Sequence, residues 1–115
     1  MFLATLVVTI LFALVLLLSA YGKLTRDPQQ MTTLERVGFP ERYVPLLAAA
    51  EIAGAAGILT GLAWAPLGVA AAVGLIAYFI GAVVSHLRVR DPRVLPPATL
   101  LLAAVATLAL RLASA

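Results

Sequence analysis

Residues 43–62 read YVPLLAAAEIAGAAGILTGL, twenty positions among which Glu51 is the one acidic or basic side chain. As a helix rising about 1.5 Å per residue, this block reaches about 30 Å, the thickness of a bilayer's hydrocarbon core. Three further blocks have the same character, running roughly from Phe2 to Tyr21, Pro66 to Leu87 and Leu95 to Leu112. A helix satisfies every backbone N–H and C=O within its own segment, which lipid demands, so each block is predicted to cross as a helix. Little chain remains outside them. The reading is an all-α, polytopic membrane protein, a single domain over residues 1–115 folded as a four-transmembrane-helix bundle.

Composition agrees. Of the 115 residues 63% are hydrophobic and 11% charged, with a mean hydropathy of +1.10. Average soluble domains are about 45–50% apolar and 25% charged, and a chain this short cannot hide the difference from water. A soluble enzyme, a disordered tail and a disulfide scaffold are excluded. The absence of cysteine removes any thiolate nucleophile or thiolate metal site. One histidine gives no zinc-spaced pair, no glycine loop cradles phosphate, and Ser19 and Ser85 near His86 are scattered singletons. No catalytic residue and no metal site is assigned, and the chain is expected to lack catalytic activity of its own.

The formal net charge is +3. The basic residues lie between apolar blocks, where they orient a membrane protein rather than bind nucleic acid. Four spans put residues 22–42 and 88–94 on one side, and these hold Lys23, Arg26, Arg36, Arg42, Arg88, Arg90 and Arg93. Arg111 stands alone on the other. Seven against one predicts cytoplasmic connections at 22–42 and 88–94 and external termini. Tyr21, Tyr43 and Trp64 fall at span boundaries, where aromatic rings anchor at headgroup level. The first block ends in the small pair Ser19–Ala20, as a signal peptide would, but no basic residue precedes it and Lys23 follows, so it is expected to remain as a span.

Between the first two spans, Asp27 suits a helix cap, Pro28 the first helical position, and Gln30 the reciprocal partner three residues on. Met31, Leu34 and Val37 recur on one face, and Gly38 suits a left-handed stop before Pro40. This predicts a short amphipathic interfacial helix with that face toward lipid or the bundle. Within the spans, small residues make stripes: Gly54, Gly57 and Gly61 on the second helix, and Ala70, Gly74, Ala77 and Gly81 on the third. Small faces let helix backbones approach in lipid, so these two helices are predicted to pack together; the stripes serve a homodimer equally well.

Glu51 is the candidate for function. Eight positions past Tyr43, it lies about 12 Å inside the boundary, where an ionisable group must face protein or water. Tyr78, nine positions before Leu87, lies about 13 Å from the same boundary, so its hydroxyl is placed to meet the carboxyl at one level. Lys23 is the nearest cation by topology, although its backbone is placed about two turns nearer the cytoplasm, so that a direct bridge requires the first helix to sink deeper or a water to intervene. His86 ends the third span at the level of Lys23 and is placed to complete a polar cluster at the mouth.

The strings YGKL (21–24), VGFPERYVPLLAAAEIAGAAGILTGL (37–62) and GAVVSHLRVRD (81–91) together resemble the DoxX-like proteins over most of the chain. Gly22, Lys23, Gly38, Pro40, Glu51, Gly54, Gly57 and His86 are the matching positions. The resemblance implies a small, mostly bacterial, four-span protein. Some relatives are linked to thiosulfate or other sulfur oxidation and to quinone, or to membrane-bound oxidative-stress complexes. More distant animal relatives include an assembly chaperone for nicotinic acetylcholine receptors. Two expectations follow. One is an accessory or assembly protein of the bacterial inner membrane, binding another membrane protein or a lipid-like ligand through a polar interhelical cavity at Glu51, Tyr78, Lys23 and His86. The alternative is a quinone-interacting subunit of a membrane oxidoreductase system, quinone being the one cofactor the resemblance brings in.

Overall fold

A computed structural model describes residues 1–114. The elements are α1 (Phe2–Leu24), α2 (Pro28–Arg36), a 3-10 turn (Glu41–Tyr43), α3 (Val44–Thr60), α4 (Ala65–Arg88) and α5 (Leu95–Ala113). There is no strand among the described residues. α1, α3 with its preceding turn, α4 and α5 are each long and apolar enough to cross a membrane. The predicted blocks and the helices coincide within a few residues; the largest departure is α1, which runs on past Tyr21 to Leu24.

α1 packs against α3 and α5, and α4 packs against the same two, so the four spans form a ring in chain order. Short connections impose this on antiparallel neighbours. The seven basic residues of the two longer connections consequently gather at one end of the bundle, the basic end, and Arg111 lies at the far end.

Burial runs opposite to that of a water-soluble bundle. The largest fully buried side chains are Leu16, Glu51, Thr5 and Thr9, three of them polar, while Leu3, Leu18 and Leu102 are about 70% exposed. Such a surface is stable only against acyl chains, whereas polar groups gain from facing one another inside. The chain is a multi-pass membrane protein. The apolar core is built on Phe12, Leu16, Leu75 and Phe79, whose two phenyl rings lie 6.2 Å apart between α1 and α4.

Close approach of α3 and α4 follows from small residues, with one correction to the expected stripe. Gly54 lies against Leu75, Gly57 against Ala71, and a Cβ on Gly61 would run into the backbone of Gly68. Gly74 and Gly81 instead face open space, where a Cβ would meet nothing within 4 Å. The packed face of α4 is Gly68, Ala71, Ala72 and Leu75, which is also spaced at helical intervals but rotated away from the stripe of Gly74 and Gly81.

The far end is closed by polar contacts. Arg111, 8% exposed, donates through its guanidinium to the Gly61 carbonyl at 3.0 Å, meeting an acceptor at the end of α3 that has no helical partner. Thr5 donates to the Leu110 carbonyl at 3.1 Å and its Oγ1 lies 2.6 Å from the Ser114 Oγ.

Three helix ends at the basic end share one geometry, a left-handed residue followed by an N–H that returns to the carbonyl five positions back. They are Arg26 (φ 58°) with Asp27 to Gly22, Gly38 (φ 77°) with Phe39 to Leu34, and Arg90 (φ 55°) with Asp91 to His86. These tight reversals turn α2 back across the bundle mouth. Asp27 caps α2 as expected, accepting from the Gln30 N–H at 3.2 Å. The reciprocal arm does not form, because Gly22 already takes the Asp27 N–H and the Gln30 side chain reaches into the bundle. Val37, just past α2, is buried, with Met31 and Leu34 half-buried, so the apolar face of α2 is turned inward.

Candidate functional site

At the basic end the ring does not close. α2 lies over the opening and leaves a cavity of about 530 Å³, walled by α1, α2, the middle of α3, the second half of α4 and the start of α5. Most of the wall is apolar, including Leu34, Phe79, Ala82, Pro97 and Leu100.

One polar cluster lies in the wall. The Lys23 ammonium stands 2.8 Å from Oε1 of Glu51, the two side chains 10% and 1% exposed. The same ammonium donates to the Ser19 hydroxyl at 2.8 Å and to Oε1 of Gln30 at 3.1 Å, and the Gln30 amide donates to the Ser19 carbonyl at 3.2 Å. The direct pair forms without an intervening water because α1 remains helical through Lys23, and a lysine side chain bridges the remaining depth. Gln30, read from sequence as a capping residue, is thus a member of this cluster. Its seven-residue separation from Lys23 spans a helix break, which sequence spacing does not resolve. On Gly22 any side chain would strike the Gln30 amide.

Lys23 uses its three protons on three acceptors. The Glu51 carboxylate is less well served: the ammonium reaches Oε1 alone, and Oε2 has no hydrogen-bond partner. Tyr78 brings its phenol into the same cavity from α4, within interaction range of that carboxylate. An ion pair in the low-dielectric interior is neutral as a unit, and its free acceptor capacity points at whatever shares the cavity.

His86 lies on the cavity wall too, but it belongs to a second cluster. Its Nδ1 is 2.8 Å from the Ala82 carbonyl and is therefore assigned a proton, while Nε2 lies 3.7 Å from Oδ2 of Asp91. Asp91 is buried; its Oδ1 accepts from the Arg93 N–H at 3.0 Å and from the Arg36 guanidinium at 3.2 Å. The Arg93 N–H, then Arg36 and His86, hold the Asp91 carboxyl below its ordinary value, against the opposing effect of burial. The Arg36 contact joins α2 to the connection between α4 and α5, and a further pair, Arg26 with Glu41, links residues on either side of α2. Asp91 escaped sequence reading because its partner is 55 positions away.

No nucleophile is prepared. The Ser19 oxygen accepts from Lys23, and Ser85 donates to the carbonyl of Gly81 at 2.8 Å rather than to His86. Among the described residues no three His, Asp or Glu side chains converge as a metal site. The arrangement offers an apolar chamber with one ion pair and one phenol in its wall.

A family model, that of the DoxX-like family, matches residues 7–109, a range that contains the entire cavity wall. No curated protein matches the chain, and no solved structure matches it.

Proposed function

This chain belongs to the DoxX-like family, and from that premise we propose that it is an accessory protein of the bacterial inner membrane, a single domain over residues 1–115 that holds a lipid-like ligand or a membrane partner at the cavity around Glu51. The observation that carries this reading is the Lys23–Glu51 pair, buried at the wall of an apolar chamber. Desolvating an ion pair costs several kilocalories per mole, and hydrophobic residues of the same volume are often as stable or more so, so a pair kept at a cavity wall favours use over support. Lys23, Glu51 and Tyr78 form the ligand-facing set, and His86 with Asp91 and Arg36 holds α2 in place over it. The basic connections lie in the cytoplasm and both termini outside, by the excess of seven basic residues over one.

Native mass spectrometry of the protein extracted in mild detergent tests the reading. A small apolar molecule or a membrane protein is expected to co-purify stoichiometrically, and Gly81→Phe, which grows into the chamber from a position with free space, is expected to expel or weaken it. Recovery of the same content from wild type and variant would overturn the reading. The quinone alternative rests on a narrower observation, a phenol and a carboxylate on one wall, which suits proton exchange with a bound ring. It requires redox-active quinone in that extract.

A further inference from the structure

We propose that the chamber selects uncharged amphiphiles carrying a hydroxyl group and discriminates against molecules of the same shape whose oxygen can only accept. The inference rests on the ligand-binding reading above and names its chemical class. Three features of the wall lead to it.

The first is the direction of unmet hydrogen bonding. Glu51 is 1% exposed, its Oε1 is met by the Lys23 ammonium at 2.8 Å, and its Oε2 lacks a hydrogen-bond partner. A carboxylate accepts up to about four hydrogen bonds, and burial makes each one left unmade costly. Lys23 cannot supply more, since its other two protons are held by Ser19 and Gln30. With the Lys23 ammonium and the Tyr78 phenol as the donors in reach, lone-pair capacity on the carboxylate remains open to a guest.

The second is charge. Lys23 and Glu51 cancel, so an ionic ligand would arrive in a low-dielectric chamber without a counter-charge. An ammonium would satisfy the carboxylate only by competing with Lys23 at 2.8 Å. An uncharged donor adds a hydrogen bond and no net charge.

The third is Tyr78. Its phenol shares the chamber with Glu51, and a phenol donates as well as accepts. A ligand hydroxyl donating to Glu51 can accept from Tyr78, closing both ends of its own hydrogen-bonding capacity, whereas an N–H offers no lone pair to the phenol. The apolar wall of Phe79, Pro97 and Leu100 takes the hydrocarbon body.

The test is a matched pair of probes, 4-hexylphenol and its methyl ether, titrated against the full-length protein in detergent and read as shifts of the thermal unfolding midpoint, each corrected for partition into micelles. Hydrogen bonds to a charged acceptor are strong enough that the phenol is expected to bind about ten-fold or more tightly than the ether. In Glu51→Gln the ratio is expected to fall toward one. Equal binding of the two probes by wild type overturns the inference while leaving the chamber as a ligand site. Binding of neither removes the chamber reading and the inference with it. A ratio that survives in Glu51→Gln, or in Gly81→Phe where the chamber is filled, places the discrimination elsewhere and also overturns the inference. The wild-type comparison decides even if Glu51→Gln does not fold.

Discussion

Lys23, in the last turn of the first span, and Glu51, in the middle of the second, meet at 2.8 Å with almost no access to solvent. Removing one partner leaves the other charged, buried and alone. Glu51→Ala is therefore expected to destabilise the bundle by about 3–5 kcal/mol, and the double variant Lys23→Met with Glu51→Leu to recover most of the loss. Thermal unfolding of the three proteins in one detergent checks this; a double variant no more stable than the single one would show that the loss is not electrostatic.

The α3–α4 contact yields a contrast between glycines. Gly61→Ala pushes a methyl into the Gly68 backbone and is expected to cost about 1–3 kcal/mol. Gly74→Ala meets nothing and gains helix propensity, so it should be neutral or stabilising by up to about 1 kcal/mol. Unfolding midpoints that rank the two the other way would contradict the observed face of α4.

Asp91 sets a pH dependence. Its carboxyl is held below the ordinary value, chiefly by the Arg93 N–H and further by Arg36 and His86. A lowered pKa in the folded state means that its contribution is complete above the unfolded value of about 3.9 and is lost as pH falls through the folded value. Detachment of α2 is thus expected only in acid below about pH 4, and Asp91→Asn should flatten that limb of the stability curve. Hydrogen exchange at 28–36, followed from pH 3 to 7, is the direct measurement.

Topology is checked with reporters fused at either terminus. Both are expected to report an external location, and exchanging Arg88, Arg90 and Arg93 for Gln is expected to weaken that preference by removing three of the seven basic residues on the retained side. Cytoplasmic reporters in the parent protein would invert the assignment.

The spans were legible because lipid imposes a length and an absence of charge that few other structures share. Glu51 was legible for the same reason, as an exception to that absence. What escaped depended on where helices stop and turn. Ending α1 at Tyr21 instead of Leu24 placed Lys23 in a loop and made its direct contact with Glu51 look too long. Gln30 fitted a local capping pattern whose second arm is pre-empted by Gly22, a bond between the end of one helix and the start of another. On α4 two small-residue faces compete, and only the position of α3 decides between Gly68 and Gly74. Asp91 gave no periodic signal, since loop carboxylates find partners through topology.

The arginine at position 111 has a consequence for traffic. Its guanidinium is tied to the end of α3, the Thr5–Ser114 contact sits beside it, and Phe12, Leu16 and Phe79 fill the waist between that plug and the Glu51 chamber. The molecule is a cup and not a pipe. On the ligand-binding reading proposed above, a guest is expected to enter and leave at the basic end, where the chamber lies.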